Sequence, residues 1–399
     1  QATEAFLALV RRQVLARAPD RDQVYSLETE LRPPVDGLVA AGEALALALE
    51  KISIPMRRLA EHLKGRLDED AAELDQGTRM RIEGAVLGLE RRAMIELGGW
   101  QKALREIDAA PPEEFVDWLS VERSDGHELD VGLHRHWVDP TLPFAEFVAK
   151  PAHGVLVTSA TLTDGSGDAL RDWEAAEART GARHLAAPAL RVSVPSPFDY
   201  AAQTRVFVVT DIRRDDPAQV AAAYRELFLA ARGGGLGLFT AIARLRAVHR
   251  RIAAPLEEAG IPLLAQHVDG MDTSTLVDIF RAEEDACLLG TDAVRDGVDV
   301  PGRSLRLIVF DRVPWPRPDI LHKARRARFG GARYDDMITR LRLKQAFGRL
   351  VRRADDRGVF VLLDAQMPSR LTGAFPEGVA LERLGLKDAI ARTAAFLAG

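Results

Sequence analysis

The 399-residue chain has a single cysteine, Cys287, so no disulfide framework can form within it. Nor is there a cysteine cluster to hold a structural zinc or an iron–sulfur cluster. Cys287 itself stands in the apolar run Ala286-Cys-Leu-Leu289 and is expected in a core. No apolar stretch reaches the roughly 20 residues that span a bilayer, and the first residues lack the pattern of a signal peptide. No membrane partner is expected, and the cytoplasm is the expected location. Charge in bulk is lacking too. With 54 Lys and Arg against 59 Asp and Glu, the net charge is −5, which by itself recruits neither nucleic acid nor an anionic surface. No Gly-Lys dipeptide occurs, so a Gly-x-x-x-x-Gly-Lys-[Ser/Thr] phosphate loop is absent. His134 and His136 form the nearest approach to a metal pair. No third ligand accompanies them, and a surface strand or loop is the plainer account, so no metal site is predicted. The chain opens on Gln1 and not on Met, which suggests a piece of a longer polypeptide.

What is present describes a globular protein. Hydrophobic residues make up 47% and charged ones 28%, and the length suits two or three domains. Residues 1–112 are rich in Ala, Leu, Glu and Arg. Their apolar residues recur at helical spacing: Phe6, Leu7, Val10 and Val14, then Leu45, Leu49 and Ile52, then Ile82, Val86 and Leu89. This predicts an all-helical domain ending at Pro111-Pro112. Residues 113–182 form a second section, with Trp118, Trp137 and a Pro-rich turn over 139–144. Within it, Gly154-Val-Leu-Val-Thr158 reads as a buried strand running into Ser159-Ala160-Thr161, and 168–179 as a helix. From 183 to 399, strands are predicted at 205–210, 237–240, 262–266, 287–290, 305–310 and 358–363. Helices are predicted at 217–232, 243–259, 273–282, 335–353 and 386–397. Short apolar runs separated by helices imply an α/β fold with a parallel sheet covered on both faces.

Ligands on such sheets bind beyond the carboxyl ends of the strands, which singles out the loops after Phe239, Leu289 and Phe310. Thr240 opens a helix that bears Arg244, Arg246, Arg250 and Arg251. Amides and a hydroxyl at a helix start can hold a phosphate, here one of a nucleic-acid backbone. The Gly233-Gly-Gly235 run precedes its strand and reads as a turn. In the loop from Thr291 to Gly302, Gly297 and Gly302 permit tight turns. Asp299 there can accept from ribose hydroxyls, pair with an arginine of the next helix, or merely cap a structural turn. After Phe310 come Trp315 and Arg317, then Lys323, Arg325 and Arg326. Aromatic and basic residues together make a single-strand track; a Trp packed under a Pro-rich loop is the alternative. Positive charge is concentrated here, with 13 Lys/Arg against 3 Asp/Glu from Arg312 to Arg353, hence 13 − 3 = +10. That segment ends in Gln345-Ala-Phe-Gly-Arg-Leu-Val-Arg-Arg353. On a continuous helix Gln345, Arg349 and Arg352 fall within about 60° of one another, opposite Leu343, Phe347 and Leu350. Two guanidinium forks and an amide suit a polyphosphate; a solvated arginine face is the bland alternative.

Ser159-Ala-Thr-Leu162, Leu238-Phe-Thr240, Asp296-Gly-Val-Asp-Val-Pro-Gly302 and the segment 345–353 follow one another in an order and spacing that resemble motifs III, IV, V and VI of superfamily 2 helicases, specifically the DinG/XPD-like group. Arg312-Val-Pro-Trp-Pro316 and Asp355-Asp-Arg-Gly-Val-Phe-Val-Leu-Leu-Asp364 are similar to that group as well. The resemblance covers residues from about 113 to 370. It implies an ATP-driven motor that uses Mg²⁺ and moves 5′ to 3′ on single-stranded DNA in the bacterial cytoplasm, near the nucleoid. It assigns residues 1–112 to an arch-like domain, 113–182 to the end of a first RecA-like motor domain, and 183–399 to the second. By the same resemblance Arg349 and Arg352 are arginine fingers with Gln345 beside them, and Gly297 and Asp299 line the nucleotide. Ser159, Ala160 and Thr161 couple hydrolysis to movement. Thr240 and Arg244, with Trp315, Arg317, Lys323, Arg325 and Arg326, meet the DNA. The group's phosphate loop and Asp-Glu-x-His box are not in this sequence, and Arg295-Asp296 replaces an aromatic–acidic pair. The chain alone is therefore expected not to hydrolyse ATP, and the rest of the first motor domain becomes an expected partner. Strand 154–158 would belong to a sheet whose other strands are mostly missing, and is expected to be poorly covered or paired with another chain. A nucleic-acid-binding protein that keeps a RecA-like domain without catalysis is the alternative reading.

Overall fold

The structure, a computed structural model, describes residues 1–20, 23–124, 126–297 and 300–398. The chain divides into two compact units: Gln1–Pro140 with Pro318–Arg328, and Thr141–Arg317 with the residues from Phe329 onward.

The first unit begins with α1 (Ala2–Arg17), β1 (Leu27–Glu30), α2 (Leu38–Glu69) and α3 (Gln76–Glu90). Helix α3 starts where the Asp75 carboxylate accepts from the Thr78 amide at 3.0 Å. It passes through a π-helical turn, Arg91–Glu96, into α4 (Leu97–Arg105), and the hairpin β2 (Phe115–Ser124) and β3 (His127–Trp137) follows. β1 pairs antiparallel with β2, and β2 with β3. Residues 1–112 are thus mostly helical, as the periodicity indicates, but Leu27–Glu30 is a strand, which corrects the all-helical expectation. The hairpin joins this unit because Leu119 and Val121 alternate inward onto Phe6, Val10, Leu38 and Leu104. The expected edge at 112 therefore moves to Pro140. Asp117 sits behind that core, taking hydrogen bonds from Arg32 at 2.9 Å and from Arg135 Nε at 2.7 Å.

The second unit opens with α5 (Thr141–Phe144), α6 (Ala169–Thr180) and α7 (Tyr200–Gln203). Alternation then sets in: β4 (Thr204–Val209), α8 (Pro217–Ala231), β5 (Gly235–Leu238), α9 (Ile242–Glu258), β6 (Leu263–Ala265), α10 (Thr273–Ala282), β7 (Cys287–Gly290), α11 (Asp292–Gly297) and β8 (Leu307–Phe310). Helix α12 (Ile320–Arg328) lies in the stretch that belongs to the first unit. The chain closes with α13 (Ala332–Phe347), β9 (Gly358–Leu362), β10 (Leu381–Leu384) and α14 (Leu386–Ala398). The seven strands run parallel in the order β10-β4-β9-β8-β5-β7-β6, with helices on both faces. This is the covered parallel sheet expected from the alternation, in the RecA-like form that the resemblance implies.

Continuous apolar runs make that possible, because a period of two sends neighbours to opposite faces. Val206, Val208, Ile308, Phe310, Phe360 and Leu362 pack with α10 and α13. Phe207, Val209, Leu307, Val309, Val359 and Val361 pack with α8, α9 and α14. Tyr224 of α8 is fully buried on the second face, and its hydroxyl lies 3.2 Å from the Leu238 carbonyl and 3.1 Å from that of Val309. It fixes the carboxyl ends of two central strands together.

Three elements differ from expectation. Helix α13 stops at Phe347, not at Arg353. Strand β10 was not anticipated, its Leu381-Glu-Arg-Leu384 being half polar. Residues 154–158 form no strand, while their exposure, 89% at Leu156, is the poor cover expected of a stretch parted from its sheet. Among the described residues none forms a ladder with them, and an extended apolar run becomes a strand only when a neighbour satisfies its backbone.

Candidate functional site

The arginine-rich end of α13 is built by the backbone. After Gly348 the chain turns: the Arg349 amide donates to Ala346 O at 3.1 Å and the Leu350 amide to Phe347 O at 3.0 Å. Leu350 and Val351 are buried. A Cβ on Gly358 would stand 2.7 Å from the Leu350 Cβ, so only glycine lets β9 pass so close. The amides of Arg352 and Arg353 donate to Asp356 Oδ2 at 2.7 and 2.8 Å. From the other side Gln203 Nε2 reaches the carbonyls of Arg353, Ala354 and Asp356, each at 3.1 Å. Gln203 and Asp356 are 8% and 7% exposed. Gln345 and Arg352 are exposed and Arg349 is half-buried. Arg349 and Arg352 therefore stand on a pinned turn and not on the helical face calculated from sequence. The wheel fails because Gly348 ends the helix.

The loops beyond the carboxyl ends of the strands are tied to one another. Thr240 follows β5, is exposed, and its amide donates to Asp311 Oδ1 at 3.2 Å. Asp311 follows β8 and is fully buried. Burial pushes its carboxyl up, against the pull of Arg244 and of the Thr240 amide. Arg244 Nε donates to Asp311 Oδ2 at 2.5 Å and its Nη2 to Arg214 O at 2.8 Å. The expected DNA contact Arg244 is thus a tie between loops. Arg214 in turn meets Asp364, the second residue beyond β9, at 3.1 Å. Gln266 plays the same part next door: its Oε1 accepts from the Thr291 amide and hydroxyl, both at 2.9 Å. Gln203, Asp356, Asp311, Asp364 and Gln266 were not singled out in the sequence. Their positions just before or after strands were the only available signal.

The remaining candidates are spread over both units. Gly297 ends α11, and Asp299 lies outside the described residues. Trp315 is 38% exposed, with the Arg370 guanidinium carbon 5.9 Å from its ring centre, and Arg317 is exposed. Lys323, Arg325 and Arg326 lie on α12, in the first unit. Lys323 and Arg326 are exposed. Arg325 is half-buried, and its Nε donates to Val138 O at 3.2 Å and its Nη2 to Trp137 O at 3.4 Å. Arg325 thereby holds α12 on the hairpin. Ser159 and Ala160 are exposed, and Thr161 is half-buried with its amide on Ser159 Oγ at 3.1 Å.

His134 and His136 flank Trp118, with ring centres 5.0 and 4.9 Å away, and His134 Nε2 lies 2.7 Å from Ser120 Oγ. Burial, then His134 and Arg325, lower the His136 pKa. Among the described residues there is no group of three or more His, Cys, Asp or Glu suited to a metal ion, and no helix long and apolar enough to cross a membrane.

Residues 224–380, from within α8 to the residue before β10, match the family described as the helicase C-terminal domain. With the seven-stranded parallel sheet, this defines the class: a RecA-like domain of helicase type. The chain is 36% identical over 283 residues to the ATP-dependent helicase DinG of Mycobacterium tuberculosis (strain ATCC 25177 / H37Ra), an alignment covering 67% of this chain and 40% of that protein. It is 32% identical over 243 residues to the ATP-dependent DNA helicase YoaA of Escherichia coli (strain K12), covering 58% and 36%. A solved structure named XPD_Helicase aligns over 95% of this chain and 67% of its own, at 13% identity and a TM-score of 0.48. Over this region the chain is similar to the DinG and YoaA helicases, and its residues 224–380 match the helicase C-terminal domain. It spans about 40% or less of the length of these curated relatives.

Proposed function

We propose that this chain is the second motor domain, with an arch-like unit, of an ATP-dependent helicase that moves 5′ to 3′ on single-stranded DNA. Residues 141–182 would close the first motor domain, whose remaining part is the required partner. The observation that carries this reading is the arginine turn at the end of α13, inside the matched span and pinned by Gln203 and Asp356. Held backbone and planar cationic forks suit charge that develops on a transferring phosphoryl group, where most of the catalysis is electrostatic. Arg349 and Arg352 would face the terminal phosphate of ATP held by another domain, with Gln345 beside them. Gly297 and Asp299 would lie on the nucleotide side. Ser159, Ala160 and Thr161 would relay the change. Thr240, Trp315, Arg317, Lys323 and Arg326 would meet the DNA.

Two described carboxylates beyond the strand ends, Asp311 and Asp364, are not open to Mg²⁺. Asp311 is engaged by Arg244, and Asp364 by Arg214 and by the Val313 amide at 3.1 Å. The residues here address one end of the triphosphate only, and the chain alone is expected not to hydrolyse ATP.

The test is DNA-stimulated ATP hydrolysis by a polypeptide in which this chain is joined to its preceding sequence. Arginine fingers contribute about 10³–10⁵ in rate, so Arg352→Ala is expected to lose at least a thousandfold. A loss under about threefold, far below that range, sinks the assignment. The missing Gly-Lys loop keeps one rival alive, a binding protein without catalysis. It wins if the longer polypeptide binds single strands and hydrolyses no ATP.

A further inference from the structure

The exposed Ser159-Ala160-Thr161 segment is followed at once by residues held very differently. Leu162 O accepts from Arg179 Nη2 of α6, and Thr163 O accepts from Lys344 Nζ of α13 at 2.8 Å. The Asp164 carboxylate accepts from Arg340 Nε of α13 at 2.9 Å, and also from Arg340 Nη2. Asp164 is 2% exposed and Arg340 8%. Three successive residues thus each give an oxygen to a cation. Met337, Arg340 and Lys344 recur at spacings of three and four, so they form one stripe along α13. Arg179 Nη1 lies 2.9 Å from Met337 Sδ on that stripe. The far side is closed by backbone. Gly165, at φ +78°, runs so near Gly373 that a Cβ would stand 2.0 Å from the Gly373 carbonyl oxygen. Burial lowers the Lys344 ammonium from its ordinary value, with Asp172 and Asp164 pulling the other way.

We propose that Arg340 and Lys344, with Arg179, clamp residues 162–164 to α13, so that the segment bearing Ser159, Ala160 and Thr161 is anchored at its end on the helix that leads into the arginine turn at 349–353. The four groups Arg179, Arg340, Lys344 and Asp164 are positioning residues. Lys344 is the pivot: its side chain holds Thr163, two residues beyond Thr161, and its neighbour Gln345 begins the segment assigned to phosphate. A buried ion pair and a charge-assisted bond to a carbonyl are strongly directional in a low-dielectric setting. That suits them to transmitting a displacement better than a greasy contact would. The clamp stands on contacts alone, and only its use in linking ATP to DNA rests on the helicase reading.

Hydrogen exchange on the ligand-free chain, read by mass spectrometry, tests the clamp. Lys344→Met is expected to speed exchange over residues 161–166 by about tenfold or more, the loss of one hydrogen bond to a charged group. Lys344→Arg, which keeps a cation there, is expected to restore protection. Strands β4, β8 and β9 serve as the reference; if they lose protection too, Asp164→Asn is read in place of Lys344→Met. Unchanged exchange over 161–166, with the reference strands protected, overturns the clamp. Adding ATP to the longer polypeptide, in which this chain is joined to its preceding sequence, tests the coupling. In its unaltered form, slowed exchange over 345–353 is expected to bring a change at 159–161, and in Lys344→Met the change is expected to stop at 353. A response over 345–353 that never reaches 159–161 in the unaltered polypeptide overturns the coupling. No response over 345–353 counts against the ATP reading of that turn, and the clamp is then decided by the first comparison.

Discussion

One amide nitrogen, Nε2 of Gln203, serves three carbonyls of the turn after α13, and one carboxylate, Asp356, serves two of its amides. At the scale of single residues this is where the candidate site is made, since a turn has no ladder of its own to hold it. Arg244 and Arg325 show the opposite outcome. Both are cations read from sequence as nucleic-acid contacts, and both are engaged by oxygens of their own unit. Cys287 is the simplest residue to check. It is fully buried in β7, and burial pushes its thiol up to about 12. Native chain is therefore expected to resist alkylation at pH 8 and to react once unfolded in guanidinium. Rapid labelling of the native chain would mean that β7 is not the buried strand described.

At the scale of elements, neighbours decided what pattern could not. The run 154–158 has the composition of a buried strand and lies exposed, while the half-polar 381–384 pairs with β4 and becomes one. Hydrogen-bonding partners, not apolarity, close a sheet edge. The hairpin of the first unit depends on a buried carboxylate. Burial alone would raise the Asp117 pKa, but hydrogen bonds from Arg135 and Arg32 outweigh it and hold the carboxyl below its ordinary value. A depressed carboxyl stabilises the fold above the unfolded value of about 4 and loses that contribution as the pH falls through its own lower value. Asp117→Asn is thus expected to lower the melting temperature of the first unit at pH 7, with the gap to the parent shrinking in strong acid. A gap that stays constant from pH 7 to pH 2 would show that the charge is not what matters.

At the scale of the whole molecule, a net charge of −5 coexists with +10 over residues 312–353, which the fold divides between the two units. Single-strand binding is expected to weaken as salt rises, with a slope of about 0.7 per phosphate contact. Arg317→Ala and Lys323→Ala should each lower that slope by about this much, whereas Arg244→Ala and Arg325→Ala should lower the melting temperature instead. Fluorescence titrations of a labelled oligonucleotide across salt concentrations check this. Affinity unchanged between low and high salt would remove the basic track as a binding surface.

The sequence by itself determined the layered sheet, because runs such as 206–209 and 359–362 are apolar at every position and must be covered on both faces. It also determined which segments carry the candidate chemistry, since guanidiniums and hydroxyls are visible as letters. Tertiary structure alone decided which of those groups look outward. Whether an arginine meets solvent or a buried aspartate depends on a partner 67 residues away in the case of Arg244 and Asp311. The turn after Gly348 is held likewise by packing, where Leu350 lies on Gly358. Local pattern carries periodicity, but a pairing across the chain is a property of the folded backbone.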